Sequence, residues 1–567
     1  MSISIKREPQ PFIPVYNEAM LILDSTKKSE EGFQYIVDVN IYGTNQSRII
    51  VQTNPQGYGV VDLHKHIEPF VTFSIDHDNT NLFQNMQSAY TKYNVSLSEE
   101  YRVYNYIISV TDSAGFCKYN FNSTHYYKIG DNITVSGSTV PAYDGVQTVS
   151  SAPSSTSVVT TKAFSANATG VALRADNATT IITGSTVFSA STYAINASLY
   201  WEDIPNWDHT LYKMDTGTTG SFLSTIPSTN DVKLGDRIWS NFYNSTSLKV
   251  AYVQITSDNG VYNIANNKTS STDANKFLTL GVGPWNIENT TNSVTVVSGV
   301  LPIINEFTTQ YTVKLLDSTS ATTSETLTFN LVDNCSRFEN YRMIYLDRFG
   351  SFLNVNFDLA HKKRINVKRE MYQQNYGSYN PTTNYYGWNS WDRGTSQLDS
   401  KIREIYTINT DWISETIGNQ VIDLIESPEV YHLTEDNFTW AYNSPILINT
   451  ISNNGGYIQI NTVVHGFLQG DRVLLEDFNS SYGINGVAII TSIVSTTAFV
   501  INKLYQSIVY SGTESVSQGY KTGNNGGKLY AVNINTNSLS EKQRAIDKLI
   551  NYTIDFEYSN KSGVQRG

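Results

Sequence analysis

Alternating or aromatic-rich apolar runs, bounded by Gly, Asn, Asp and Pro, recur along this chain and predict strands. The clearest lie at 19–23, 35–42, 69–75, 101–110, 311–316, 326–332 and 552–558. The runs at 311–316 and 326–332 flank a Ser/Thr-rich connection and read as a hairpin. Helical periodicity is scarce. Its best instance is 413–426, where Ile413, Ile417, Val421, Leu424 and Ile425 share one face. Ser427-Pro428 ends it, because the residue before a proline avoids the α region. Shorter helical candidates are 540–550 and 82–93. The pattern predicts an all-β protein with a few short helices, built as several β-sandwich-like host domains carrying two inserted small β-modules.

The modules are visible as a repeat. His125 stands five residues before Gly130-Asp131, Asp144-Gly145 follows, and Val158-Val159-Thr160 closes the unit. His465 stands five residues before Gly470-Asp471, Asn485-Gly486 follows, and Ala498-Phe499-Val500-Ile501 closes the second. His125, Asp131 and Gly145, with His465, Asp471 and Gly486, are the expected turn residues. Each histidine is expected to cap the turn entering the Gly-Asp bend, with the aspartate bonding nearby backbone amides; a ligand site is the less favoured reading. A third Gly235-Asp236 lacks the histidine and the later turn, and reads as coincidence.

Both modules sit inside host sequence, since a longer loop adds only about 0.6 kcal/mol of closure entropy per doubling. The expected division is 1–112 plus 196–300 as an N-terminal β domain, interrupted by module 1 at 113–195. Residues 301–449 plus 521–567, with the 413–426 helix, form a C-terminal β domain interrupted by module 2 at 450–520.

Composition narrows the function. The net charge of −12 argues against gripping nucleic acid, whose affinity comes largely from Lys and Arg. The 38 tyrosines suit wide, partly wet protein contacts, or reflect a Tyr-rich β composition. Cys117 and Cys335 are the only cysteines, so neither a disulfide framework nor a thiolate metal motif is expected. The N-terminus has no apolar signal-peptide core and no run approaches a membrane span, so a soluble protein made in the cytoplasm, without membrane insertion, is expected. The sequons at Asn122, Asn132 and Asn244 carry little meaning without a signal.

Catalytic and metal patterns are sparse. His64 and His66 flank Lys65, and Asp76-His77-Asp78 places two carboxylates beside a histidine. The first pattern lacks HExxH or any second cluster, and the second reads as a polar turn, with a calcium-stapled loop as the minor alternative. No nucleophile elbow or phosphate loop is present. No catalytic residue, cofactor or metal is therefore assigned. The run from His361 to Arg369 is the sharpest charge feature. As a strand it places Lys362, Arg364 and Lys368 on one face with Asn366, and turns Ile365 and Val367 inward. It reads either as a solvated strand face or as a functional strip, in the latter case an electrostatic seam to an acidic neighbour in preference to a DNA-facing band. Farther on, Tyr376, Tyr379, Tyr385, Tyr386, Trp388 and Trp391 stand among Gly and Asn, as aromatic interface anchors or as a carbohydrate platform.

Several segments, in order, carry a resemblance. They are Phe12-Ile13-Pro14-Val15-Tyr16, Phe33-Gln34-Tyr35-Ile36-Val37, Gln56-Gly57-Tyr58-Gly59, Arg342-Met343-Ile344-Tyr345-Leu346, Asn409-Thr410-Asp411-Trp412 and Leu549-Ile550-Asn551-Tyr552. With Ser427-Pro428 and the terminal Gln565-Arg566-Gly567, they resemble virion structural proteins of tailed phages of Bacteroidetes hosts, crAss-like phages among them. The likeness covers most of the chain outside the modules, and the repeat itself is similar to a small β-module of phage tail proteins. It implies a virion tail protein forming a homo-oligomeric ring, a dodecamer matching the portal. Such a ring extends the portal channel, docks neighbouring tail proteins and lets DNA pass without sequence-specific binding. The rival expectations are a receptor-binding adhesin that recognises host glycans and an envelope depolymerase.

Overall fold

The computed structural model describes residues 3–560 apart from 74, 87, 104–105, 123, 126, 170–178, 183–185, 188–191, 216–218, 246–249, 269–272, 300, 306–307, 333–337, 435–437, 524–526, 537–541 and 544–548. It is all-β, and no described helix is long and apolar enough to cross a membrane. The chain divides into two compact units, residues 1–72 with 90–209 and residues 73–89 with 210–567.

In the first unit, a three-stranded sheet of Ile3–Arg7, Met20–Ser25 and Gly59–Asp62 shares a core with a seven-stranded sheet centred on Tyr90–Val103. Alternation sets which faces meet. Leu21, Leu23 and Val61 come from one sheet, Tyr35, Val37, Val95 and Leu97 from the other. This is a sandwich.

In the second unit, an eleven-stranded and a six-stranded sheet share a larger core. The 310–316 and 326–332 region forms the expected hairpin, Gln310–Leu316 against Leu327–Leu331. Helix Glu415–Glu426 buries Val421 and Leu424 in that core. Ser414 caps it by accepting from the Ile417 N–H at 3.4 Å, and extended Ser427 ends it, as the following proline requires.

Each module has a separate core, around Tyr119, Ile133 and Val158 in one and Ile460, Val473 and Phe499 in the other. Module 1 comprises Ile107–Ser113, Phe116–Phe121, Asn132–Val135, Gly145–Ser154, Ser157–Ala163 and Ala168–Thr169. Module 2 comprises Ile446–Asn454, Tyr457–Thr462, Arg472–Glu476, Gly486–Ser495, Ala498–Leu504 and Ser515–Gly523. In both, the strands pair in one order: sixth, first, second, fifth, fourth, third. In module 2 the third also pairs with the sixth and closes a six-stranded barrel. Among the described residues, module 1 lacks that last pairing.

Several expectations are corrected. Residues 210–300 belong to the second unit, because Trp239–Asn244 lies between Phe277–Gly281 and Phe352–Phe357 in its large sheet. Module 1 begins at Ile107, whose strand pairs with Phe116–Phe121, so 101–110 is two strands in two sheets. Its strands end at Thr169 and not near 195, because Thr179–Ile182 and Thr192–Ile195 pair with Tyr90–Val103 of the host sheet. Module 2 begins at Ile446, and Phe438–Tyr442 adds to its sixth strand. The described residues of 69–75 form no strand: Pro69 has no N–H for a ladder and instead opens the 3-10 turn Glu68–Phe70. Residues 82–93 contain strand Phe83–Asn85 and the start of Tyr90–Val103, where partner strands override helical spacing. In 540–550, Lys542–Gln543 pairs with Ile550–Asn551, and the remaining helical prediction falls outside the described residues. Cys335 and the terminal Gln565-Arg566-Gly567 also lie outside them.

Candidate interaction surface

The basic run is the first strand of a long hairpin, Lys362–Gln373 against Thr395–Asn409, with a bulge at Glu370/Met371. Only Tyr406–Asn409 joins the sheet, against Thr553–Tyr558. There the hairpin is anchored by Tyr406 stacked on Phe556 at 5.2 Å and by buried Ile405 and Ile408. The rest, from Arg364 to Gln373 and back, stands out as a two-stranded arm, roughly 33 Å long at about 3.3 Å per residue. Lys362–Gln373 ends the sheet order, so its outer backbone edge pairs with no described strand.

Both faces of the arm are open. One carries Lys362, Arg364, Asn366 and Lys368, with Arg403 and Lys401 from the return strand. The other carries Ile365, Val367 and Ile402. Ile365 is 55% and Val367 39% exposed, which corrects the expectation that they turn inward. Among the described residues no second layer covers that face.

The tip, 374–394, is held by its own backbone. Ser378–Asn380 pairs with Tyr385–Gly387, and Asn380 Oδ1 accepts from the Thr382 N–H at 2.9 Å. Gln374 Nε2 donates to Arg393 O at 2.9 Å, and the Tyr386 hydroxyl donates to Tyr376 O. Gly377 has φ +90°, and a Cβ there would meet Gly387 O at 2.7 Å. With the backbone closed on itself, the rings are left outside. Tyr376, Tyr379, Tyr385, Tyr386, Trp388 and Trp391 are 44 to 76% exposed.

Charge sets the arm apart. Residues 362–409 hold eight Lys/Arg and four Asp/Glu, a net +4, in a chain of −12, which leaves −16 elsewhere. Glu404 sits 2.7 Å from Lys363 Nζ and holds that ammonium up to about 12. Arg403 is paired with Glu557 through Nε and Nη2 at 2.5 and 2.9 Å. Lys368 faces Lys401 and Glu370 faces Asp399, so these four charges offset one another along the strands. Lys362, Arg364, Lys368 and Arg369 form no ion pair among the described residues.

The module residues serve turns. Asp131 Oδ2 accepts from the Lys128 N–H at 2.7 Å, and Asp471 Oδ2 from the Leu468 N–H at 2.8 Å. Gly130 and Gly470 take φ +96° and +90°, Gly145 and Gly486 φ +118° and +103°. The histidines reach farther than a cap of the Gly-Asp bend: His125 Nε2 donates to Ser154 O and Ser157 O at 2.8 and 3.0 Å, and His465 Nε2 to Ser495 O at 3.2 Å. Each ties its loop to the hairpin of the fourth and fifth strands. His465 Nδ1 accepts from the Phe467 N–H, which places the proton on Nε2. Gly235-Asp236 forms the same local turn, with Asp236 Oδ2 accepting from the Lys233 N–H at 2.9 Å. It also pairs with buried Arg342 at 2.7 Å, a relation no sequence spacing signals.

The other singled-out groups serve structure. His64 Nδ1 lies 2.6 Å from Asp62, and His66 Nδ1 3.1 Å from Ser47 Oγ. Asp78 pairs with buried Arg237 at 2.5 Å, and Asp76 accepts from the Asp78 N–H. Burial pushes His77 down to about 4, its ring edge-on to Phe352. Among the described residues no three His, Cys, Asp or Glu side chains converge as metal ligands. No protein-family model matches the chain, and no curated protein is detectably similar to it.

Proposed function

We propose that this protein is a non-enzymatic structural subunit of an assembled particle: a virion tail component of the phage type it resembles, forming a ring that extends the portal channel and docks neighbouring tail proteins. The observation that carries the reading is the arm. A soluble chain rarely leaves this much ring surface in water unless another molecule covers it. Four separately cored β bodies also suit a protein that works by shape. Its buried carboxylates serve the fold. Asp236 holds Arg342, and Asp347 gathers the Thr225, Phe349 and Ser351 N–H groups, although burial pushes its carboxyl up to about 7. The acidic balance outside the arm suits a channel wall that DNA passes without sticking.

Native mass measurement of the purified chain, with tail and portal proteins present, tests this. A closed homo-oligomer is expected, and the resemblance puts it at a dodecamer. A stable monomer in every mixture, or turnover of envelope polysaccharide to new reducing ends, contradicts it. A second reading, a glycan-binding adhesin, draws on exposed Trp388 packed edge-on to Tyr376 at 6.1 Å. Glycan-array binding lost in Trp388→Ala would favour it.

A further inference from the structure

We infer that the arm is the assembly element itself, docking in trans on the acidic surface of a second copy of this chain. The inference rests on the reading of the protein as an assembly subunit and names the contact by which it assembles.

Three observations point to that occupant. A two-stranded ribbon is at best marginally stable alone in water, yet this one projects beyond its sheet with apolar side chains on an uncovered face. Covering it is therefore part of the folded arm's stability. The area is adequate: six rings burying roughly 150–250 Å² each when covered, at their present exposure, amount to on the order of 700 Å² at the tip alone. A specific interface needs about 800 Å² per partner, and Ile365, Val367 and Ile402 supply more.

Charge selects the partner. An arm of +4 is repelled by another arm and attracted by a body of −16. Arm-to-arm pairing along the free edge is disfavoured for the same reason that lysines guard natural edge strands. Arm-to-body docking uses two different surfaces of one chain, so it is heterologous and generates a ring when the rotation closes. A basic, aromatic arm could also engage DNA. The chain's overall acidity opposes that, and the experiment separates the two.

Sedimentation velocity on the full chain tests the inference, alongside two surface variants, Lys362→Glu/Arg364→Glu/Lys368→Glu and Trp388→Ala/Trp391→Ala. These side chains are exposed, and unchanged melting curves confirm that the variants fold. The wild type is expected to associate at micromolar concentration, less tightly as salt rises. Each variant is expected to raise the dissociation constant roughly 30-fold or more. The charge variant should also lose the salt dependence. Variants that assemble like the wild type overturn the inference while leaving the assembly reading intact. A monomeric wild type overturns the inference, and it overturns the assembly reading as well only when the chain also stays monomeric with tail and portal proteins present. A wild type that shifts only when duplex DNA is added, with charge reversal abolishing the shift, overturns the inference in favour of a nucleic-acid arm.

Discussion

The carboxylates of Asp131 and Asp471 close the same turn in two modules: each accepts from the backbone N–H three residues earlier, at 2.7 and 2.8 Å. The turn then feeds equivalent ladder bonds, Gly130 N–H to Val149 O at 2.9 Å and Gly470 N–H to Ile490 O at 2.8 Å. One small sequence signature thus fixes strand entry twice.

Removing that carboxylate is expected to weaken one module and spare the other. Asp471→Ala should cost roughly 1 kcal/mol, the net value of a hydrogen bond plus an orphaned amide. Hydrogen exchange should quicken across 446–523 and stay unchanged across 107–169. Equal quickening in both would show that the modules share one cooperative unit, against their separate cores.

Arg342 and Asp236 are both almost fully buried and 2.7 Å apart, with Asn356 Nδ2 donating to the second carboxylate oxygen. Asp236→Ala leaves a guanidinium without its counter-charge and should cost on the order of 3–5 kcal/mol. Replacing both, as Asp236→Leu with Arg342→Met, should recover much of it. Denaturant melts of the two variants check this, and equal losses would contradict it.

His432 gives the second unit an acid limit. Burial, aided by nearby Arg342, lowers its imidazole to about 4, while its Nδ1 lies 2.8 Å from the Tyr558 hydroxyl and its ring stacks on Tyr341 at 5.0 Å. Below about 6.5 the unfolded chain binds a proton that folded His432 refuses until about 4. Stability is therefore complete above pH 6.5 and falls as pH drops through that window, by roughly 3 kcal/mol for this group. His432→Gln should flatten the loss. Chemical denaturation between pH 7 and 4 measures it, and an unchanged slope would contradict the assignment.

The sequence exposed local chemistry better than tertiary cover. Gly130-Asp131 and Asp144-Gly145 announce their turns because left-handed glycines and Asx bonds are local, and the second module repeats them. The helix at Glu415–Glu426 was legible because its apolar spacing and its proline stop are both local, whereas its Ser414 cap was not singled out. Ile365 and Val367 alternate with basic residues just as a half-buried strand does, yet no described element packs on their face and they stay in water. The boundary near 196–300 was illegible because each unit is discontinuous: Phe83–Asn85 pairs with Phe277–Gly281, far along the chain. Gly235-Asp236 looked accidental because its partner Arg342 is distant in sequence.

The most direct measurement is zero-length carboxyl-to-amine cross-linking of an equal mixture of 15N-labelled and unlabelled full-length chains. Mixed-isotope peptides joining Lys362 or Lys368 to acidic residues outside 362–409 are the result expected of an arm reaching into its neighbour. Cross-links from those lysines found only within single-isotope peptides would contradict it.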